Sequence, residues 1–517
     1  MVERALSGVL AAGILTMVAG CAAGPGPRAH TAEPISDVYR PLPSFESAMD
    51  GSFATGVAFA DLDGDGLPDM IVGNGNDMSP QPLMVYYNHC SAQQTSCFNH
   101  YPDWYSDDID YLGAVALGDI DHDGRLDVAV SVTMDKRRLT RGGGIKIYMN
   151  QGGRLESLPS QRIAEGYGTF DNALADVNAD GLLDLVVPGF NLPATEPVQK
   201  GPHAVRRSFA RVEREPTRIY LNEGGKLHGT SDWKSENRVF GLGVVAADLD
   251  QDGWMDFAIA GEAAFVYRGG PPRGNAIPID RKPSWVSEQT RAPVTFVDAG
   301  RIGIGPGLTL AAARGCFPGD TGCGSDFVLF RPGPTPGSRR PVWTSEPSRL
   351  SAEVLLADLN ADGLLDLVAG QWGDEVIGAP LWIFQGQLGG FAPAPSFKTD
   401  GGPQGLAVAE GLAVSDTRNR ATRDRPYAWR PPARGAVITL PDRRVASVVS
   451  VTIGGQIVPP NRWAFANGEN WISLADPYEA GADIRIIYRA SPVLDLIEAT
   501  WNPQRGNLLY DSFLTPP

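Results

Sequence analysis

Residues 56–72 read Gly56-Val57-Ala58-Phe59-Ala60-Asp61-Leu62-Asp63-Gly64-Asp65-Gly66-Leu67-Pro68-Asp69-Met70-Ile71-Val72. The apolar runs on either side are too short for stable helices and suit half-buried or buried strands. Between them lies a nine-residue loop, D-x-D-x-D-G-x-x-D. Alternate Asp residues at loop positions 1, 3 and 5 place three carboxylates in one concavity. Gly at position 6 permits a sharp turn at positive φ. The unit is a strand, an acidic loop and a second strand.

The unit recurs. Loops of the same pattern start at Asp61, Asp119, Asp176, Asp248 and Asp358 and end at Asp69, Asp127, Asp184, Asp256 and Asp366. The first two intervals are about 58 residues and the last is about twice that, so a degenerate copy is expected between Asp248 and Asp358. Val294-Thr295-Phe296-Val297-Asp298 and Leu308-Thr309-Leu310-Ala311 supply its strands. In this reading Asp298 keeps the first loop position, and Gly300, Ile302 and Gly303 replace the acidic ligands. A later strand ending in an aromatic marks each repeat: Tyr86-Tyr87, Tyr148, Tyr220, Tyr267, Phe330, Phe384 and finally Tyr510. These markers predict an all-β, seven-bladed β-propeller. The last blade takes its first strand from Gly411-Leu412-Ala413-Val414-Ser415-Asp416, its second from Leu494-Asp495-Leu496-Ile497 and its third from Leu508-Leu509-Tyr510. The residues between alternate like strands from about Ala436 onward, which predicts a small β-module inserted in the last blade. The expected organisation is a leader over 1–20, a tether over 21–45, propeller over 46–417, the inserted module over 418–490, and the end of the last blade over 491–517.

The loops carry the chemistry. A hard cation of calcium's size takes six to eight oxygens. Each loop offers side-chain oxygens at positions 1, 3, 5 and 9 and a backbone carbonyl at position 7. The expected ligands are Asp61, Asp63, Asp65, Leu67 and Asp69 in the first loop, and Asp119, Asp121, Asp123, Arg125 and Asp127 in the second. The third offers Asp176, Asn178, Asp180, Leu182 and Asp184, and the fourth Asp248, Asp250, Asp252, Trp254 and Asp256. The last offers Asp358, Asn360, Asp362, Leu364 and Asp366. Ligand positions without thiolate or imidazole argue against zinc or copper. An EF-hand is excluded, because it needs a Glu at position 12 and flanking helices; Val72 and Val130 stand at position 12. About five calcium ions are therefore expected.

The loop 61–69 and its four counterparts closely resemble the FG-GAP/VCBS repeat family, which includes the propeller of integrin alpha subunits. The resemblance spans most of residues 50–415 and 491–511. It implies a calcium-binding propeller and carries the ligand roles onto the five loops, but not onto the blades of Asp298 and Asp416. The family's Phe-Gly and Gly-Ala-Pro signatures are poorly kept, so integrin-like ligand binding is not implied, and the fold by itself names no function.

The N-terminus supplies an address. Arg4 precedes an apolar run, Val9 to Val18, that is short for a membrane span. Val18-Ala19-Gly20-Cys21 resembles the lipobox of bacterial lipoproteins, which implies cleavage before Cys21, acylation of Cys21, and anchoring in the cell envelope. Ala22 in place of Asp points to outer-membrane routing. The other cysteines fall in two close pairs, Cys90 with Cys97 and Cys316 with Cys323, read as local disulfides of an exported protein.

A formal charge of −16 excludes nucleic acid as a partner. There is no HExxH, GxSxG, P-loop or dinucleotide fingerprint. The expected function is non-catalytic binding or adhesion toward a protein or glycan. Tyr101, Trp104 and Tyr105 are candidate contacts, and the arginines at 137, 138, 141, 206 and 207 are candidate basic spots. The alternatives are a polysaccharide-acting lyase or hydrolase and an envelope-assembly scaffold.

Overall fold

The computed structural model of the protein describes residues 33–76, 78–90, 96–135, 142–191, 213–273, 276–303, 307–315, 324–333, 338–348, 350–372, 380–400, 409–502 and 504–514. The leader, Cys21 and the arginines at 137, 138, 141, 206 and 207 lie outside these residues. So do Cys316 and Cys323, and the disulfide expected between Cys316 and Cys323 therefore lies outside the described residues as well. Among the described residues, no helix is long and apolar enough to cross a membrane.

The chain is all-β, built as successive four-stranded antiparallel sheets in a β-propeller arrangement. The first sheet is typical: Ala54–Ala60, Asp69–Asn74, Gln81–Tyr86 and Trp104–Asp110, hydrogen-bonded in that order. The same order begins again at Leu112–Gly118, Ala173–Ala175, Val244–Ala247, Val294–Gly300 and Ser351–Ala357. A further sheet joins Ala409–Ser415, Asp495–Thr500 and Leu508–Tyr510 to the N-terminal strand Phe45–Glu46. The first strand of each sheet lies beside the first strand of the next, and Ala409–Ser415 lies beside Ala54–Ala60. The circuit therefore returns to its start.

The second strands read as continuous apolar runs because both of their faces are covered. Asp127–Val132 and Asp256–Ala260 are buried at every position. The core is a series of apolar layers between neighbouring sheets. Leu117, Val128 and Tyr148 meet Ile71 and Val85, and Phe327 and Leu329 meet Leu356 and Leu367. Each fully buried Leu, Ile or Val side chain contributes roughly 1.5–3 kcal/mol. Tryptophans on the short fourth strands wedge between sheets: Trp233 stands edge-on to Phe257 and Tyr267, Trp285 to Phe330, and Trp343 to Phe384.

Two expectations need correction. The tether expected over 21–45 does not reach 45. Ile35–Val38 forms a helical turn, Ile35, Val38 and Tyr39 are buried with Leu359, Leu381 and Leu494, and the Tyr39 hydroxyl donates to the Leu494 carbonyl (2.5 Å). Apolar side chains at these positions make burial more favourable than a solvated linker. The second correction concerns Asp298. Gly300 pairs with Thr309 as Ala60 pairs with Asp69, so Arg301, not Asp298, occupies the first loop position of that sheet. Asp298 sits three residues earlier, within the strand.

Residues 423–490 form two small sheets. One contains Arg423–Trp429, Ile484–Ala490, Ser447–Ile453 and Gln456–Val458. The other contains Gly435–Thr439, Trp471–Tyr478 and Trp463–Ala464. They share a core of Ile438, Val451, Ile472, Leu474, Ile486 and Tyr488. The module docks back on the loop ends of the first strands. The Gly253 carbonyl accepts the N–H groups of Ala436 (2.8 Å) and Val437 (2.9 Å), and the Asn467 N–H donates to the Leu117 carbonyl (2.9 Å).

Candidate metal centres

The acidic loops share one hydrogen-bond pattern. The carboxylate at position 1 accepts backbone N–H groups from across the loop: Asp119 from Asp123 (3.0 Å) and Gly124 (2.9 Å), and Asp248 from Asp252 (3.0 Å) and Gly253 (2.9 Å). The carboxylate at position 5 accepts the N–H of position 7, as Asp65 does from Leu67 (2.8 Å). The position-9 carboxylate starts the second strand, is fully buried and joins two segments. Asp69 accepts from Leu62 and Asn88, each at 2.9 Å, and Asp127 accepts from Ile120 and Asn150, each at 2.9 Å. Asp184, Asp256 and Asp366 repeat this geometry.

The backbone repeats as closely. The glycine at position 6 is left-handed in every loop, with φ 88° at Gly66 and 90° at Gly253. Position 4 is left-handed too, although His122, Ala179, Gln251 and Ala361 stand there with φ between 56° and 63°. Non-glycine residues avoid this region unless the surroundings impose it. A conformation shared by four unrelated side chains belongs to the loop as a whole. The sequence pattern shows no signal for it, because position 4 is not restricted to Gly or Asn.

In three loops the side-chain oxygens of positions 1, 3 and 9 converge within 4.8 Å: Asp61, Asp63 and Asp69; Asp119, Asp121 and Asp127; Asp248, Asp250 and Asp256. The other two loops carry Asn178 and Asn360 at position 3, whose amides donate to Asp180 (2.8 Å) and Asp362 (3.1 Å). Burial, opposed by the backbone donors and reinforced by neighbouring carboxylates, pushes Asp69 and Asp127 up to about 7. Asp176 and Asp248 are likewise pushed up to about 7 by burial, and Asp184, Asp256 and Asp366 rise well above the usual range. Crowded buried carboxylates of this kind are ionised favourably only beside a cation. An all-oxygen donor set around a tight turn fits a hard divalent ion. Arginines approach two loops: Arg125 contacts Asp123, and Arg268 Nε lies 3.0 Å from Asp250.

The loops are linked from sheet to sheet. Asn150, after the third strand of one sheet, donates its side-chain amide to the Leu62 carbonyl of the preceding loop (2.8 Å). Asn222 does the same to Ile120 (2.8 Å), and Asn88 to Thr417 (2.7 Å).

The last sheet departs from the pattern in an informative way. Ser415 pairs with Asp495, so Asp416 and Asp495 hold positions 1 and 9 although the inserted module separates them. Between them stands Arg420, 3.2 Å from Asp416 and 2.5 Å from Asp495, with its third nitrogen on the Ser512 carbonyl (2.6 Å). A guanidinium of the chain occupies the place between the two carboxylates. Asp298, in turn, is held by Arg443 and Arg444 of the module (2.7 Å to Arg444), and it accepts the Leu356 N–H (2.8 Å).

Of the two cysteine pairs, Cys90 and Cys97 form a disulfide. Cys316 and Cys323, the other expected pair, fall outside the described residues. Tyr101 and Tyr105 are exposed, whereas Trp104 packs partly against the core between the first two sheets.

Residues 61–130 match the FG-GAP-like repeat family. The human protein integrin alpha-7 is 31% identical over 144 residues, which is 25% of this chain and 10% of that protein, so the chain spans about a tenth of its relative. Among solved structures, rhamnogalacturonan lyase YesW is 13% identical over 68% of this chain and 62% of its own, with a TM-score of 0.34. The V. cholerae biofilm matrix protein Bap1 is 11% identical over 92% of this chain and 76% of its own, with a TM-score of 0.33. The Bacillus licheniformis rhamnogalacturonan lyase of 12% identity covers 88% of this chain and 75% of its own, with a TM-score of 0.34.

Proposed function

We propose that this chain, an FG-GAP repeat protein, is a calcium-bound propeller of seven blades that works as a non-catalytic module for binding a protein or glycan at the cell envelope. The observation that carries the reading is the repeated loop: one hydrogen-bond pattern and one left-handed turn in all five, and side-chain oxygens that converge in three of them, placed where first and second strands meet. Asp61, Asp63 and Asp69, with their counterparts in the other four acidic loops, would hold the ions. Bound calcium would neutralise carboxylates that otherwise repel each other and would stiffen the loop face. The circuit of first strands supports a closed ring, in which Phe45–Glu46 completes the last blade. Lipid attachment at Cys21 would tether the ring to the membrane.

Two measurements test this. Metal analysis of the purified protein should return about five calcium ions per chain; a chain free of calcium at millimolar ion would end the metal reading. A glycan array, run with calcium and with chelator, should show capture that needs calcium and leaves the glycan intact. Shortened glycan products would replace this reading with an enzymatic one.

A further inference from the structure

The first strands do not close on their own axis. They enclose a cavity of about 230 Å3, lined by residues from all of the propeller sheets. The inserted module provides its floor. The Asn467 side chain donates to the Phe59 carbonyl (2.7 Å), its N–H donates to Leu117, and Gly118 bridges Ala466. The insertion thus turns a tunnel along the strand ends into a blind pocket.

The lining is uneven in a way that apolar packing does not require. Most of the wall is Ala, Val, Leu and Gly, but Asp171, Phe296 and Glu353 line it from three different sheets. The Asp171 carboxylate is fixed by the N–H groups of Val244 (2.8 Å) and Asn172 (2.8 Å), which are neutral donors. Toward the floor, Asp298 and Glu469 are met by Arg443 and Arg444. The two guanidiniums answer the carboxylates at the floor, whereas the hydrogen-bond partners of Asp171 among the described residues are backbone N–H groups. Burial pushes Asp171 up to about 7, opposed by the Val244 and Asn172 N–H groups, as expected for a buried carboxylate with no positive neighbour among the described residues.

We propose that this pocket binds a small organic cation, a protonated amine on a body no larger than a monosaccharide, with Asp171 as its charged anchor and the Phe296 ring beside it. A cation supplies the missing counter-charge, and an aromatic face near it adds attraction. The size of the pocket excludes a polymer chain along its length. The site goes beyond the partner-binding role proposed above, and it does not depend on calcium in the loops.

Calorimetry on the whole protein tests it with four probes: glucosamine, choline, glucose and glucuronate. The amines should bind with one site per chain, while glucose and glucuronate should not. Asp171→Asn should weaken amine binding at least about tenfold, and Asp483→Asn, on the exposed part of the module, should leave it unchanged. Circular dichroism and the melting temperature verify that both variants fold. Equal binding of glucose and glucosamine, no binding of either amine at millimolar concentration, or unchanged amine binding by a folded Asp171→Asn protein would each overturn the proposal.

Discussion

Removing the Arg420 side chain should have a large effect on stability. Its guanidinium is the positive group joining Asp416 and Asp495, whose side chains are 1% and 0% exposed. Burial raises the Asp495 pKa and Arg420 opposes that rise. In Arg420→Ala the two carboxylates remain buried with only neutral donors: Thr417 and Ser512 N–H on Asp495, and Ala421 and Thr422 N–H on Asp416. An exposed pair would cost about 0–1 kcal/mol. Breaking a buried pair from one side costs about 3–5 kcal/mol, and the burial here places Arg420 in that class. The same cut loses the bond to the Ser512 carbonyl, which lies in the segment following the strand paired with Phe45–Glu46. Urea denaturation should therefore show a loss of about 3–5 kcal/mol, equal with and without chelator because this cation belongs to the chain. Hydrogen exchange should rise first at the Ser44 and Ser47 amides, which bond to Leu509 and Asn507. Arg420→Lys should recover part of the loss, since an ammonium cannot span both carboxylates and the carbonyl. A loss below about 1 kcal/mol for Arg420→Ala, or one that calcium abolishes, would refute the reasoning.

Glu498 is buried in the last sheet, and burial pushes it up to about 8. A carboxyl raised in the folded state stabilises fully below its unfolded pKa, and that contribution is lost as pH rises through about 8; Glu498→Gln should flatten the fall in melting temperature between about pH 5 and about pH 9. The module rests on the fourth loop through Gly253, so Asp252→Asn should speed hydrogen exchange at Ala436 and Val437, while Asp65→Asn in the first loop should not. Equal exchange in the two variants would show that docking is independent of that loop. Cys90 and Cys97 close a short loop, and Cys90→Ser should cost about 2 kcal/mol in the same denaturation assay.

What the sequence determined by itself is local. A D-x-D-x-D-G-x-x-D run between apolar pentads dictates a strand, a tight acidic turn and a second strand, because the ligand spacing and the glycine act within nine residues. The repetition of that unit announces a repeat fold, and the last sheet's pairing of Gly411 to Ser415 with Asp495 to Ala499 was legible across the insertion because both runs keep the pattern. The fourth strands were not legible. Trp233–Lys234 and Trp285–Val286 are two residues long, with no period to read, and they exist because a tryptophan finds a gap between sheets. Only the tertiary structure decided that Phe45–Glu46 completes the last sheet, since that pairing joins segments from opposite ends of the chain. It also decided the roles of charged residues: strand register moved Asp298 out of the loop and toward the module's arginines, and Arg420 came to stand between carboxylates that the chain keeps far apart. Ligand spacing acts along the chain and can be read there; counter-charge and strand closure act through space and cannot.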